Sequence, residues 1–462
     1  MLELQNFIGG AFVPSDSQKK IAKYSPFDGQ LLADITASDA MDVIKAIQSA
    51  KKALPGFKDL SFEERALLLK KVAQALEDKA SHYAYQEALH QGLPQSFVLE
   101  NSIRVAIKLL RQNAESLQQP LSSQIQVQPV GLVGIISSWS LSLRLVTERM
   151  APALAAGNVC VIKISEKSPI TAQILGEVLQ AAGVPAGVVN VLQGDEDVGR
   201  VIAGHPSIHA VTAAGKTSTM ESIAKAGLSQ FKKMQLSGSV KNAAIVLAGT
   251  DFASHMDEIL RSFLIGQGQM CWNTSRLFLL ESFQKEFMES LKTRLDQLEP
   301  LRDPSGSSPW TPLISAEAVE EVLKKTQGGV SEHGKVAWGA EKVIGSGFFV
   351  KPAMMVDLPN CSVLQQDELQ GPLFLITSVK YQHEIAKWVN TSYLAHSAVI
   401  WGPAEKLDKV ITQLECAQVW MNEWMKGEGP TIFGHKQSSF GNPDMSWSGT
   451  FYSDVKILTG TR

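Results

Sequence analysis

The residue best equipped for covalent chemistry is Cys271, in the stretch Gly266-Gln-Gly-Gln-Met-Cys-Trp-Asn-Thr-Ser-Arg276. A cysteine reacts as thiolate; its ordinary pKa is about 8.5, and a helix N-terminus or polar donors nearby lower it. Gly266 and Gly268 let backbone N–H groups come close to a bound oxyanion. A second reading fits the same residues, because a cysteine between Met270 and Trp272 is equally a small core side chain.

Either role requires a scaffold, and the surrounding sequence supplies one. A helical pattern over Phe252–Ile265 leads into the cysteine loop, and an apolar strand over Arg276–Leu280 leaves it. Upstream, strands are expected at 133–137, 159–163, 188–191 and 209–212. Helices are expected from Ser168-Pro169, near 198–203 and after Ala213-Ala-Gly-Lys216. Alternating strands and helices predict a parallel sheet covered on both faces, with ligands at the carboxyl ends of its strands. Cys160 falls inside such a strand and reads as structural. A second α/β segment starts at Ala243–Leu247, with later strands expected at 348–350, 373–376, 398–401 and 418–422.

The N-terminal third is helical after a short strand at 7–13 and a turn at Pro26-Phe-Asp-Gly29. Helices are expected over 40–54, from the capping box Ser61-Phe-Glu-Glu64, and over 81–114. Ser122–Pro129 alternates apolar and polar residues, which suits a half-exposed strand pairing either with another subunit or within the monomer.

At 462 residues the chain is long enough for two or three domains, each with its own core. Lys and Arg number 43 against 46 Asp and Glu, without a basic stripe, so nucleic acid is not an expected partner. The four cysteines, Cys160, Cys271, Cys361 and Cys416, lack zinc or redox spacing and suit a reducing compartment, the cytoplasm. No signal peptide is expected from Met1-Leu-Glu-Leu-Gln-Asn-Phe. The most apolar region, 130–146, is interrupted by serines and Arg144, so no membrane span is expected.

Several segments, taken in order, carry a family resemblance. They are Gly131-Leu-Val-Gly-Ile-Ile-Ser-Ser-Trp139-Ser140, Ala151-Pro-Ala-Leu-Ala-Ala-Gly-Asn158 with Lys163-Ile-Ser-Glu166, Gly183-Val-Pro-Ala-Gly-Val-Val-Asn-Val191, Gly268-Gln-Met-Cys271 and Asp367-Glu-Leu-Gln-Gly-Pro372. Together the chain resembles the aldehyde dehydrogenase superfamily over almost its whole length. The resemblance implies an α/β fold with a Rossmann-type cofactor domain (1–117 and 133–236) and a second α/β catalytic domain (237–430). It also implies a small β oligomerisation element with a C-terminal segment (118–132 and 431–462), hence a homodimer or homotetramer.

It further implies the chemistry. Cys271 would attack an aldehyde, the thiohemiacetal would be oxidised by a nicotinamide cofactor, and water would release the thioester. By the same resemblance Lys163 and Glu166 contact the adenosine ribose, which favours NAD over NADP because a carboxylate repels a 2′-phosphate. Glu368 holds the nicotinamide ribose, and Trp139, Ser165, Gly194, Gly199, Ala213 and Ala214 belong to the cofactor site. Trp139, Trp272, Trp420, Trp424 and Met425 suit either a substrate tunnel or ordinary core.

The departures bear on the same steps. Ser140 stands where the family has an oxyanion-stabilising asparagine, and losing such a donor costs about 100- to 1000-fold in rate. Gln235 replaces the glutamate that activates the deacylating water, and an amide cannot take that proton. The pyrophosphate loop reads Ala213-Ala-Gly-Lys216 instead of Gly-Ser-Thr, and Gln370 replaces an aromatic residue. Ser438–Pro443 lacks a second acidic residue, for which Asp444 is the nearest substitute. Three readings follow: an NAD-dependent aldehyde dehydrogenase with impaired deacylation, a coenzyme A-acylating relative, and a cofactor-binding protein without aldehyde oxidation.

Overall fold

A computed structural model describes residues 2–116, 125–426, 434–441 and 451–457. Helix ends follow local chemistry. Ser61 and Glu64 form the reciprocal capping box expected of them, at 3.2 Å and 2.7 Å, and open the helix Phe62–Asp78. The helix Ala40–Lys58 opens on a similar box made by Asp39 and Asp42. Ala80–Gln91 stops at Gly92, whose φ of 74° and approach to Pro312 exclude a side chain.

Two parallel sheets carry the site. The first runs in the order Ser439–Phe440, Lys233–Ser237, Ala210–Ala214, Leu132–Ile136, Val159–Lys163, Val189–Leu192, Asn6–Ile8 and Ala11–Val13. Its five central strands are parallel, and the outer ones pair antiparallel. All residues of Leu132–Ile136, Val159–Lys163 and Val189–Leu192 are buried, as a sheet sandwiched between helices requires. Cys160 sits within it, and burial pushes its thiol pKa up.

The second sheet runs Lys335–Trp338, Ala353–Val356, Leu373–Val379, Arg276–Leu280, Ala243–Val246, Ser397–Trp401 and Gln418–Met421. The strand expected at 348–350 is reduced to one antiparallel bridge, Val350 with Lys342. The carbonyls of Phe348, Phe349 and Val350 accept instead from Leu313 N–H, Val343 N–H and the side chains of Gln267 and Trp310. Backbone groups spent on loops cannot build a ladder, and the ladder starts after Pro352, at Ala353. A three-stranded sheet of Leu2–Leu4, Leu31–Thr36 and Lys20–Tyr24 was not foreseen from the sequence.

Ile125–Pro129 pairs antiparallel with Ser453–Ile457 in a two-stranded ribbon, Val127 facing Val455. Ser122–Gln124, the start of the expected strand, lies outside the described residues. Three of the residues grouped by sequence with the oligomerisation element behave differently. Leu132 starts a central strand of the first sheet, and Ser439–Phe440 extends that sheet at its edge. Among the described residues no helix is long and apolar enough to cross a membrane, and no cluster of side chains could hold a metal ion.

Candidate active site

The Cys271 loop is held by its own sequence. The helix Phe252–Leu264 ends because Gly266, Gln267 and Gly268 all take positive φ. A Cβ on Gly268 would lie 2.4 Å from the Gly371 carbonyl oxygen, so only glycine lets the loop pack against the segment that carries Glu368. Three amide side chains then fix the backbone. Gln269 donates to the Gly266 carbonyl at 2.7 Å and accepts from Ile314 N–H at 3.1 Å. Asn273 accepts from Met270 N–H at 2.8 Å and donates to the carbonyls of Ser262 and Ile265 at 3.0 Å each. Asn242, at the start of the second sheet, donates to the Cys271 and Asn273 carbonyls at 2.8 Å each. Buried amides satisfied in this way leave the loop few alternative conformations.

A cavity opens between the two sheets. One wall comes from the carboxyl ends of the first sheet and the segments after them, with Trp139, Ser140, Lys163, Ser165, Glu166, Gly199 and Ala214. The other wall is the Cys271 loop, Glu368 and His396. The sequence-derived candidates Gln235, Gly194 and Ala213 are not part of its lining. Gln235 lies in Lys233–Ser237, two residues back from the strand end, about 7 Å deeper at the rise of a strand. Its Oε1 accepts from the Thr212 hydroxyl at 3.1 Å, while Ser237 and Gly238 reach the cavity in its stead. Gly194 serves a turn: its φ is 146°, and a Cβ would stand 2.7 Å from Val198. Ala213 is fully buried in the sheet. Asp444 lies outside the described residues.

Ser140 is placed from below. Gln91 and Glu87, on the helix Ala80–Gln91, accept from the N–H groups of Leu141 and Leu143 at 2.8 Å and 2.9 Å. Glu87 is fully buried, and burial pushes its carboxyl above the usual range against the bonds from Leu143, Ser102, Gln91 and Ser142. Leu141 is held at a φ of 44° between Ser140 and the helix Ser142–Ala155.

The profile of the aldehyde dehydrogenase family matches residues 12–458. The chain belongs to that family. It is 31% identical to a 2-hydroxymuconic semialdehyde dehydrogenase of Pseudomonas sp. (strain CF600), the match covering 99% of each chain. It is 29% identical to the 2-aminomuconic semialdehyde dehydrogenase of Bos taurus, over 99% of this chain and 98% of the relative. An aldehyde dehydrogenase from Bacillus cereus, solved as its NAD+ complex, superposes with a TM-score of 0.92 at 26% identity. That match covers 99% of this chain and 96% of the other.

The electrostatics around Cys271 are set by burial and by neighbouring charges. Burial pushes the Cys271 thiol up to about 12; Arg144 pulls it down, while Glu148 and Glu368 push it further up. The resting group is therefore a thiol at neutral pH. Glu368 also lies above the usual carboxylate range because of burial, although Ser239, Val240 N–H, Lys325 and Gln370 favour its ionised form. Gln370, in the place of the family's aromatic residue, donates to Glu368 at 2.9 Å.

At the other wall Lys163 lies 3.1 Å from Glu166. Burial opposes ionisation of Glu166, but Lys163, a backbone N–H bond and Lys167 together outweigh it and hold the carboxyl below its usual value. Lys216 lines the cavity just before the helix Thr217–Leu228 and lies 3.6 Å from Glu321.

Sequence reasoning missed Arg144, Glu148 and His396, all in the cavity wall. His396 is pushed down to about 4 by burial, with Arg144 and His435 adding to the effect, so it is a neutral imidazole at pH 7. Arg144 and Glu148 did leave a signal: with Arg149 they place three charges on a largely apolar, buried helix, and such charges require partners or a ligand. Of the tryptophans, Trp139 and Trp272 reach the cavity. Trp424 stacks on Phe97 and donates to the Trp272 carbonyl at 3.1 Å.

Proposed function

We propose that this protein oxidises an aldehyde with NAD, carrying the acyl group on Cys271, and that release of the acyl group to water is slow. The observation that carries the reading is the single cavity shared by Cys271 and Glu368 on one side and Ser140 and the Lys163–Glu166 pair on the other.

The residues suit a dinucleotide. The ionised Glu166 accepts hydrogen bonds from ribose hydroxyls and disfavours a 2′-phosphate. The N-terminus of Thr217–Leu228, with Lys216 beside it, suits a pyrophosphate, and Glu368 suits the second ribose. When bound, the nicotinamide supplies the hydride acceptor.

The protein's own residues do the rest. Cys271 Sγ bonds the aldehyde carbon and loses its proton, and the carbonyl oxygen becomes an oxyanion. Ser140 donates one hydrogen bond to that oxygen, over a shorter reach than an asparagine amide. Oxidation leaves a thioester on Cys271. Its hydrolysis requires a base to take a proton from water, and the carboxamide of Gln235 cannot do so.

The test mixes enzyme, aldehyde and either NAD or NADP. About one equivalent of NADH per site should form quickly with NAD, followed by slow turnover. Rapid, sustained turnover in water would refute impaired deacylation. Turnover restored only by coenzyme A would favour the acylating reading, which the distance of Gln235 from the cavity also suits. Absence of any burst while NAD binds would favour a protein without aldehyde oxidation.

The ribbon of Ile125–Pro129 and Ser453–Ile457 supports assembly into a homodimer or homotetramer. A two-stranded ribbon is marginal by itself, and this one exposes Val127, Val455 and Ile457, the last at 72%. Light scattering at micromolar concentration should give a multimer, and Val455→Asp should shift it toward monomer. A monomeric unmodified protein would remove the proposal. The unpaired cysteines suit the reducing cytoplasm as its compartment.

A further inference from the structure

The helix Ser142–Ala155 is buried along nearly its whole length, yet it turns a charged pair toward the reaction cavity. The Arg144 guanidinium lies 4.3 Å from the centre of the Trp272 ring, the residue next to the nucleophile. Its Nε donates to Glu148 Oε1 at 2.8 Å, and its Nη1 lies 3.4 Å from the Asn101 carbonyl oxygen. A guanidinium has five N–H donors in a planar fork; the others have no partner among the described residues. Around it the wall combines Trp139, Leu145 and Trp272 with Ser140, Glu148 and His396. The side chain is only 16% exposed, and donors there that neither Glu148 nor the Asn101 carbonyl uses are costly unless a ligand takes them.

We propose that Arg144 is the subsite for a carboxylate carried at the far end of the substrate aldehyde, with Glu148 and the Trp272 ring holding the guanidinium in place. This rests on the reading that Cys271 oxidises an aldehyde in this cavity. A carboxylate matches the fork in charge and geometry and takes two parallel hydrogen bonds, which a neutral chain end cannot. Glu148 serves as an orienting partner: bound to Nε, it leaves the outer face of the guanidinium available. The preferred substrates are therefore semialdehydes of dicarboxylic acids.

The test compares adipic semialdehyde with hexanal, which share one chain and differ in the terminal carboxylate. The readout is the ratio of their first-turnover rates of NADH formation at low aldehyde concentration. The ratio should favour the semialdehyde by about 10-fold or more, since hydrogen bonds to charged groups carry that much discrimination. Arg144→Met should reduce the ratio by about 10- to 100-fold, and Arg144→Lys should restore part of it. Equal losses with both aldehydes, leaving the ratio intact, would overturn the subsite and assign Arg144 to support of Trp272.

Calorimetric titration with adipate needs no turnover. The unmodified protein should bind it, and Arg144→Met should bind it at least about 10-fold more weakly; equal affinities, or no binding by either, would overturn the proposal. If neither aldehyde yields NADH with the unmodified protein, the oxidation reading falls, and the adipate titration decides the subsite by itself.

Discussion

Cys271→Ala should abolish the NADH burst, a loss of at least about 1000-fold in first-turnover rate, because no other group can hold the acyl carbon while it is oxidised. The side chain is small, and the backbone of the loop is held by Asn242, Gln269 and Asn273 and not by the thiol. The variant should therefore fold and bind NAD as before, which calorimetry checks. In the unmodified protein the burst rate should depend steeply on pH. A thiol whose pKa is pushed up to about 12 is neutral below that value, so the thiolate fraction rises about tenfold per pH unit between pH 7 and 10. A burst of unchanged rate across that range would show that burial does not limit the nucleophile once the cofactor is bound. A surviving burst in Cys271→Ala would remove the covalent mechanism altogether.

Gln235→Glu should raise steady turnover by about 100-fold, the low end of what a placed general base contributes. The new carboxyl would begin beside the Thr212 hydroxyl, where the amide now accepts a bond at 3.1 Å. Burial at 7% exposure disfavours its ionised form. It would thus be a stronger base than a solvated glutamate, and the deacylating step would quicken while the first turnover stays the same. The burst phase should merge into the steady rate as the two become comparable. Stopped-flow absorbance of NADH reads both phases in one trace. If turnover and burst both match the unmodified protein, the side chain does not reach the thioester from its strand position, and slow release has another cause. Gain from a single acidic substitution would identify Gln235 as the residue that suppresses hydrolysis.

Much of the fold could be read from the chain because its periodicity is regular. The strand at 159–163 falls on the observed residues, and the expected strands at 133–137, 188–191 and 209–212 lie within two residues of theirs. Continuous apolar runs bounded by turns have few other solutions in an α/β chain. Legibility failed where backbone groups were spent on long-range partners. Residues 348–350 look like a strand by composition, yet their carbonyls serve Leu313, Val343, Gln267 and Trp310. Apart from Val343, no window of local sequence contains those partners. The N-terminal three-stranded sheet was missed for another reason: Lys20–Tyr24 and Leu31–Thr36 are only partly buried and lack the continuous apolar runs of the central strands.

By itself the sequence determined the family, the nucleophile candidate and the two substitutions, Ser140 and Gln235, because motif identity and order survive without coordinates. It also determined the stiffness of the Cys271 loop, since Gly266, Gly268, Gln269 and Asn273 are local choices that constrain their own backbone. Only the tertiary structure decided which residues share the cavity. Depth along a strand sets Gln235 apart from Ser237. Helical spacing turns Arg144 and Glu148 toward one side, and the packing of Arg144 against Trp272 brings them near Cys271. His396 arrives from more than 100 residues away because Ser397–Trp401 pairs with Ala243–Val246. Contacts of that kind depend on how sheets and helices meet, and residues distant in sequence carry no local mark of it.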